Sequence, residues 1–196
     1  MLELLTGAGL ATSAGLNAAL PLLALGALDR WTGLVTLPAG WEWLSNGWVL
    51  VILAVLLVVD VVADKVPGVD HVNDLLQTVV RPTAGGIAFG AGVGTETVAV
   101  TDPGAFVDSG AWVPVAIGVL VALGVHVAKA TARPVVNATT LGVGGPVVSV
   151  AEDVSAVVVV VLAILVPVLV LVALVALVWA FWRLRARRRA RTAGAA

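Results

Sequence analysis

Ionisable side chains are scarce in this sequence, and the ones that could do chemistry gather in two short stretches. In the first, Asp60, Asp64 and Lys65 close a valine-rich run, and Asp70, His71, Asp74 and Arg81 follow a Pro67-Gly68 step. In the second, His126, Lys129 and Arg133 follow an equally apolar run, with Asn137 one turn further on. Asp60 and Asp64 share a helical face at i, i+4. A carboxylate inside an apolar helix is costly, so it pairs with a cation or lines a wet cavity. Two readings follow: a structural partnership of Asp60 with His126, Lys129 or Arg133 in one polar cluster, or an ion or substrate pathway through Asp60, Asp64, His126 and Asn137.

Lys65, Arg81, Lys129 and Arg133 form the most convergent set of cations. They suit an anionic lipid headgroup or an anionic substrate, or they serve only as topology signals. Asp70, His71 and Asp74 present oxygen and imidazole donors one turn apart and could hold a divalent metal. Capping of a helix by Asp70 accounts for the same residues. No enzyme is expected. Cysteine and tyrosine are absent and only two histidines occur. No zincin motif appears, and the GAGVG string lacks the Gly-Lys-Ser/Thr of a phosphate loop. No cofactor is called for.

The elements that must position these residues are membrane helices. The chain has 196 residues, 60% hydrophobic and only 12% charged, about half the charge of an ordinary soluble domain. Mean hydropathy is +1.09. The spacing predicts an all-α, polytopic membrane protein with six spans, at about 4–28, 48–65, 82–95, 112–129, 134–150 and 154–182. A short amphipathic helix, His71 to Val80, precedes the third, with Val72, Leu75, Leu76, Val79 and Val80 on one face. The segment Pro67 to Val80 reads as a lid with its apolar face against the bundle, or as a helix lying on lipid. Residues 1–182 make the transmembrane domain and 183–196 a basic cytoplasmic tail.

Six spans put both termini on one side, and ten of the eleven basic residues then share that side. The positive-inside rule makes it the cytoplasm of a bacterial inner membrane. Glu152 and Asp153 fall on the opposite face in this scheme. Trp31, Trp41, Trp43 and Trp48 suggest an interfacial belt. A faint parallel repeat pairs Trp48 with Trp112, Lys65 with Lys129 and Arg81-Pro82 with Arg133-Pro134. The glycines at 85, 86, 90, 92, 94, 142, 144 and 145 read either as close helix packing or as helix breaks lining a path.

The strings AGLNAALPLLALGAL, WEWL, ADKVPGVDHVNDLLQTVVRPTAGG and ATARPVVNATTLGVGGPVVSVAEDV resemble the DUF4126 family of bacterial membrane proteins, over nearly all of residues 7 to 180. The resemblance implies a small integral membrane protein and brings no activity or functional residues. From the residues themselves the leading expectation is a transporter or channel for an ion or small solute. The alternative is an anionic-lipid-binding or scaffold protein without transport. Membrane lipids are the expected partners, the glycine faces allow homo-oligomers, and nucleic acid is not expected.

Overall fold

The computed structural model describes residues 2–65, 69–94, 110–140 and 144–167, with isolated positions at 175, 176, 179 and 183. Within these, the side chains at 69–72, 74 and 137 are outside the description. The described chain is all-helical: α1 (Leu2–Leu16), α2 (Ala19–Trp31), a 3-10 helix (Ala39–Ser45), α3 (Gly47–Ala63), α4 (Val69–Gly92), α5 (Trp112–Thr139) and α6 (Gly144–Leu165).

Local chemistry sets several of the boundaries. The Asn46 side chain accepts from the Trp48 N–H and opens α3, satisfying a donor that has no intrahelical partner. Asn17 does the same for α2, its Oδ1 taking the Leu20 N–H at 3.2 Å. That capping divides residues 2–31 into two helices, where one span over 4–28 is predicted. Gly7 lies against Phe89 and Val93, whereas Gly15 lies against Ala122 and Val125. α1 therefore starts beside the C-terminal end of α4 and runs to the level of residues 122–129. α2 returns, because Gly26 meets Leu44 and Arg30 donates to the Ser45 carbonyl. The two form a hairpin that turns at Asn17 and Ala18.

Two predicted boundaries fail at prolines. α4 runs through Pro82 and α5 runs through Pro134, so neither Arg-Pro step begins a helix. Proline removes one backbone hydrogen bond, but ending a helix in an apolar medium would expose several. The separate amphipathic helix is thus the first half of α4, and the predicted 134–150 span is divided between the end of α5 and the start of α6. α6 begins at Gly144, not 154, and carries Glu152 and Asp153 inside it. The repeat does not extend past α3 and α5, since Lys129 and Arg133 share one helix whereas Lys65 follows the end of α3 and Arg81 lies on α4. Pro67, Gly68 and Gly142 lie outside the described residues, as does the basic tail beyond Arg183.

Relative to the prediction, a turn is added at Asn17 and one is lost between Lys129 and Arg133. Among the described residues the six α-helices run alternately between two ends. One end carries Trp31, Trp43, Trp48 and Trp112, all exposed, with Trp41 buried beneath them against Gly90. The other end carries the charges. The N-terminal end of α1 sits at the tryptophan end, not beside Lys65, Lys129 and Arg133 as expected. α6 leaves the charges at Asp153 and reaches Leu28 and Leu34 near the tryptophan end by Leu165.

Polarity is inverted relative to a soluble protein. Val51, Ile52, Val55, Leu56, Val58, Val59 and Val62 of α3 are exposed, whereas Asp60, Asp64, Arg81, His126, Lys129 and Arg133 are buried. On α4 the apolar stripe Leu75, Leu76, Val79 and Val80 faces outward and Asn73 and Gln77 face inward. This is opposite to a lid that presses its apolar face on the bundle: in lipid the polar face is the one that must be buried. α5 over Trp112–Val136 and α6 are long and apolar enough to cross a membrane. The 3-10 helix with α3, bent by 64°, adds a third if counted as one span. Together these features are those of a membrane-embedded helical bundle.

The bundle closes through small residues. Ala11, Ala14, Ala84, Ala88, Ala122, Ala156 and Ala163 are buried. A Cβ on Gly85 or Gly118 would run into the other helix's backbone, so α4 and α5 cross in near backbone contact. Gly86, Gly90 and Gly92 likewise meet Val115, Trp41 and Gly7. These glycines are occupied within one chain. Gly94, just past the end of α4, adopts φ +68°, a left-handed turn that suits glycine.

Candidate functional site

Helix ends from five elements converge on one buried charge network. Asp64, just past the last turn of α3, is its centre. Its Oδ2 accepts from Lys129 Nζ at 3.0 Å and Arg133 Nη2 at 2.8 Å, and its Oδ1 accepts from Asn73 Nδ2 at 2.9 Å. Glu152 of α6 receives the same two cations, Lys129 Nζ at 3.0 Å and Arg133 Nη2 at 2.9 Å. Lys129 and Arg133 stand one turn apart on α5, which is why both reach the same pair of carboxylates. Lys129 Nζ also donates to the Leu16 carbonyl at 3.3 Å. It thereby takes up one of the carbonyls that the end of α1 leaves unpaired.

Asp60 sits one turn deeper. Its Oδ1 accepts from Asn73 Nδ2 and Gln77 Nε2, both at 2.8 Å, and Arg81 Nη2 stands 3.6 Å from Oδ2. Arg81, 0% exposed, also stands 3.7 Å from Asp64. Its Nη1 is 3.4 Å from His126 Nδ1, and His126 Nε2 is 3.1 Å from Thr78 Oγ1. A guanidinium can only donate, so Nδ1 must accept and the ring proton lies on Nε2, directed at Thr78. At the edge, Lys65 pairs with Asp153 at 3.0 Å.

The network is balanced: Asp60, Asp64, Glu152 and Asp153 face Lys65, Arg81, Lys129 and Arg133. Burying one of these charges alone would cost several kcal/mol. The expected partnership of Asp60 with His126, Lys129 or Arg133 takes another form: the contacts of Asp60 are with Asn73, Gln77 and Arg81, and Arg81 and Asp64 link it to His126, Lys129 and Arg133. The four cations are not free for an anion. Each already has a carboxylate, and Arg81, Lys129 and Arg133 are buried, so a headgroup would have to displace an acid. The side chains of Asp70, His71, Asp74 and Asn137 lie outside the described residues. Among the described residues no group of three or more metal-ligating side chains occurs.

Sequence reasoning missed Glu152, Asp153, Asn73, Gln77 and Thr78. A turn at Arg133-Pro134 puts the acids on the far face; the helix instead continues to Thr139 and α6 starts at Gly144, which brings Glu152 back to Arg133. Asn73 and Gln77, at i, i+4 opposite the apolar stripe of α4, were visible as a polar face without an assigned partner.

Several buried polar atoms have no hydrogen-bond partner among the described residues: Asn17 Nδ2, Gln77 Oε1, Arg81 Nε and Nη2, and Ser149 Oγ. Asn17 is the hairpin turn, and the others lie on α4 and α6 on either side of the network. Between α2, α3 and α4 a cleft of about 490 Å³ ends on Asp60, Asn73 and Gln77.

The sequence profile of the domain of unknown function DUF4126 matches residues 4–187, and the chain belongs to that family. No curated protein and no solved structure matches the chain.

Proposed function

We propose that this DUF4126 protein is a small membrane transporter for an ion or small solute, with its path past the Asn17 hairpin turn and the Asp60–Asp64–Arg81–Lys129 network. The observation that carries this reading is the network itself: fully compensated charges held in the interior of a bundle whose outside is apolar. Ionisable groups inside a membrane are expensive and mark transport or proton paths by default. Two supports are independent of the charges. The hairpin of α1 and α2 turns at the network, so the unpaired backbone groups at the end of α1 and the start of α2 face it. The polar atoms Asn17 Nδ2, Gln77 Oε1 and Ser149 Oγ, without a partner among the described residues, need a hydrogen-bonding guest, and both water and a polar solute satisfy that need.

Purified protein in liposomes, with a pH-sensitive dye inside and an imposed potassium diffusion potential, tests the reading with protons as the probe. Protein-dependent proton movement is expected, and Asp60→Asn, compared at a temperature where circular dichroism shows it folded, should reduce it to the level of protein-free vesicles. Flux equal in the variant and the parent would remove the network from the path.

For orientation, the six arginines from Arg183 to Arg191 outweigh the carboxylate-matched cations of the network. With α6 directed at the tryptophan end, both termini and that end are assigned to the cytoplasm, and the network lies toward the outer face. The chain has no cysteine, so single introduced ones report cleanly. Cysteines at the exposed positions Glu3 and Asn46 should react from the same side, and one at Thr140 from the other. Labelling of Glu3 and Thr140 positions from one side would overturn the arrangement.

A further inference from the structure

We propose that the cleft between α2, α3 and α4 binds the chain of a neutral, hydroxyl-headed lipid that enters sideways from the bilayer, with its head on Gln77 and Asp60. The cleft is about 490 Å³ and has two unlike parts. Its walls are apolar, from Leu22, Leu53 and Ile87, and its rim carries Leu56, Leu76 and Val79, which are exposed. Its inner end is polar, formed by Asp60, Asn73 and Gln77. A site of this size and make-up, mostly apolar with a few convergent polar groups, suits a small amphiphile.

The polar end fixes the chemistry of the head. The Asn73 amide nitrogen points at Asp60 and Asp64, and the Gln77 amide nitrogen points at Asp60. Carboxylates can only accept, so these amides cannot be turned round. Their oxygens therefore point away from the acids, and Gln77 Oε1 is buried with no partner. Asn73 spends both amide hydrogens on Asp60 and Asp64, and Gln77 spends one on Asp60, so Gln77 keeps its oxygen and one N–H for a guest. The guest must donate to the oxygen and can accept from the N–H. An ionised phosphate or carboxylate head cannot donate and would stand beside the Asp60 carboxylate, and is disfavoured. A cationic head would upset a charge balance that Arg81 already provides for Asp60 at 3.6 Å. An uncharged hydroxyl satisfies both conditions. Binding is read at equilibrium and stands apart from the transport reading.

The test uses the full chain in phosphatidylcholine nanodiscs with a diazirine-bearing analogue of oleyl alcohol, cross-links being mapped by mass spectrometry. Cross-links should concentrate on Leu56, Leu76 and Val80 over the equally exposed Val154 and Val158. Unlabelled oleyl alcohol should compete and oleyl phosphate of the same chain length should not. Gln77→Leu should weaken binding about tenfold, the loss of one buried hydrogen bond. Leu76→Trp, at an exposed rim position that folding does not depend on, should block the cleft and abolish the concentrated labelling. Labelling spread evenly over α3, α4 and α6, labelling unaffected by Leu76→Trp, or equal competition by the phosphate would overturn the proposal.

Discussion

Asp64→Asn is expected to destabilise the protein by about 3–5 kcal/mol, the cost of removing one partner from a buried charge cluster. Asp64 accepts from Lys129 and Arg133 within 3.0 Å and lies 3.7 Å from Arg81. Asparagine keeps the shape and one acceptor but removes the charge. Three buried cations then face Asp60 and Glu152 alone, with one positive charge uncompensated. The double variant Asp64→Asn, Lys129→Met restores the balance and should recover at least about 1 kcal/mol of the loss, because contacting members of one network are not additive. Thermal unfolding of the purified protein, followed by circular dichroism, measures both. A loss under about 1 kcal/mol for Asp64→Asn, or a double variant as unstable as the sum of its parts, would mean that the cations do not depend on Asp64.

The second large effect lies at the α4–α5 crossing. A Cβ on Gly118 would meet the Gly85 carbonyl and the Phe89 side chain. The Gly85 obstacle is backbone, which cannot rotate away as a flexible side chain can, so the helices must separate. Gly118→Leu is expected to cost about 3 kcal/mol, the upper part of the overpacking range, and Gly118→Ala somewhat less. Gly124→Leu on the same helix is the control. A Cβ there meets nothing within 4 Å, and its unfolding temperature should stay at or above the parent's, since leucine is also the better helix former. Similar losses at Gly118 and Gly124 would show that the cost comes from the leucine and not from the crossing.

The glycine result illustrates what a sequence can and cannot decide. Close packing and a break lining a path are both compatible with Gly85, Gly86, Gly90 and Gly92 as letters. Only the tertiary structure shows their missing side chains filled by Val115, Trp41, Gly7 and the α5 backbone. Among the described residues a break inside a predicted span occurs at Asn17, where a polar side chain accepts from the Leu20 N–H of the returning helix.

What the sequence determined by itself is the solvent and the expensive residues. Sparse charge and long apolar runs require lipid around the chain, and an ionisable group such as Asp60 in such a run must find a partner. Energy alone therefore requires a buried partner for Asp60 and points to His126, Lys129 and Arg133; the cation that the fold sets beside it is Arg81. Helix limits in the interior of the chain were not determined locally. Arg81-Pro82 and Arg133-Pro134 look like helix starts in water, but in an apolar medium the helix carries on through them. That continuation swung Glu152 and Asp153 onto the cations and put the polar face of α4 inward. Pairing between residues such as Lys65 and Asp153, 88 apart in sequence, is a property of how helices meet. Only the tertiary structure could decide it, because the charge balance is satisfied across four elements and within none of them.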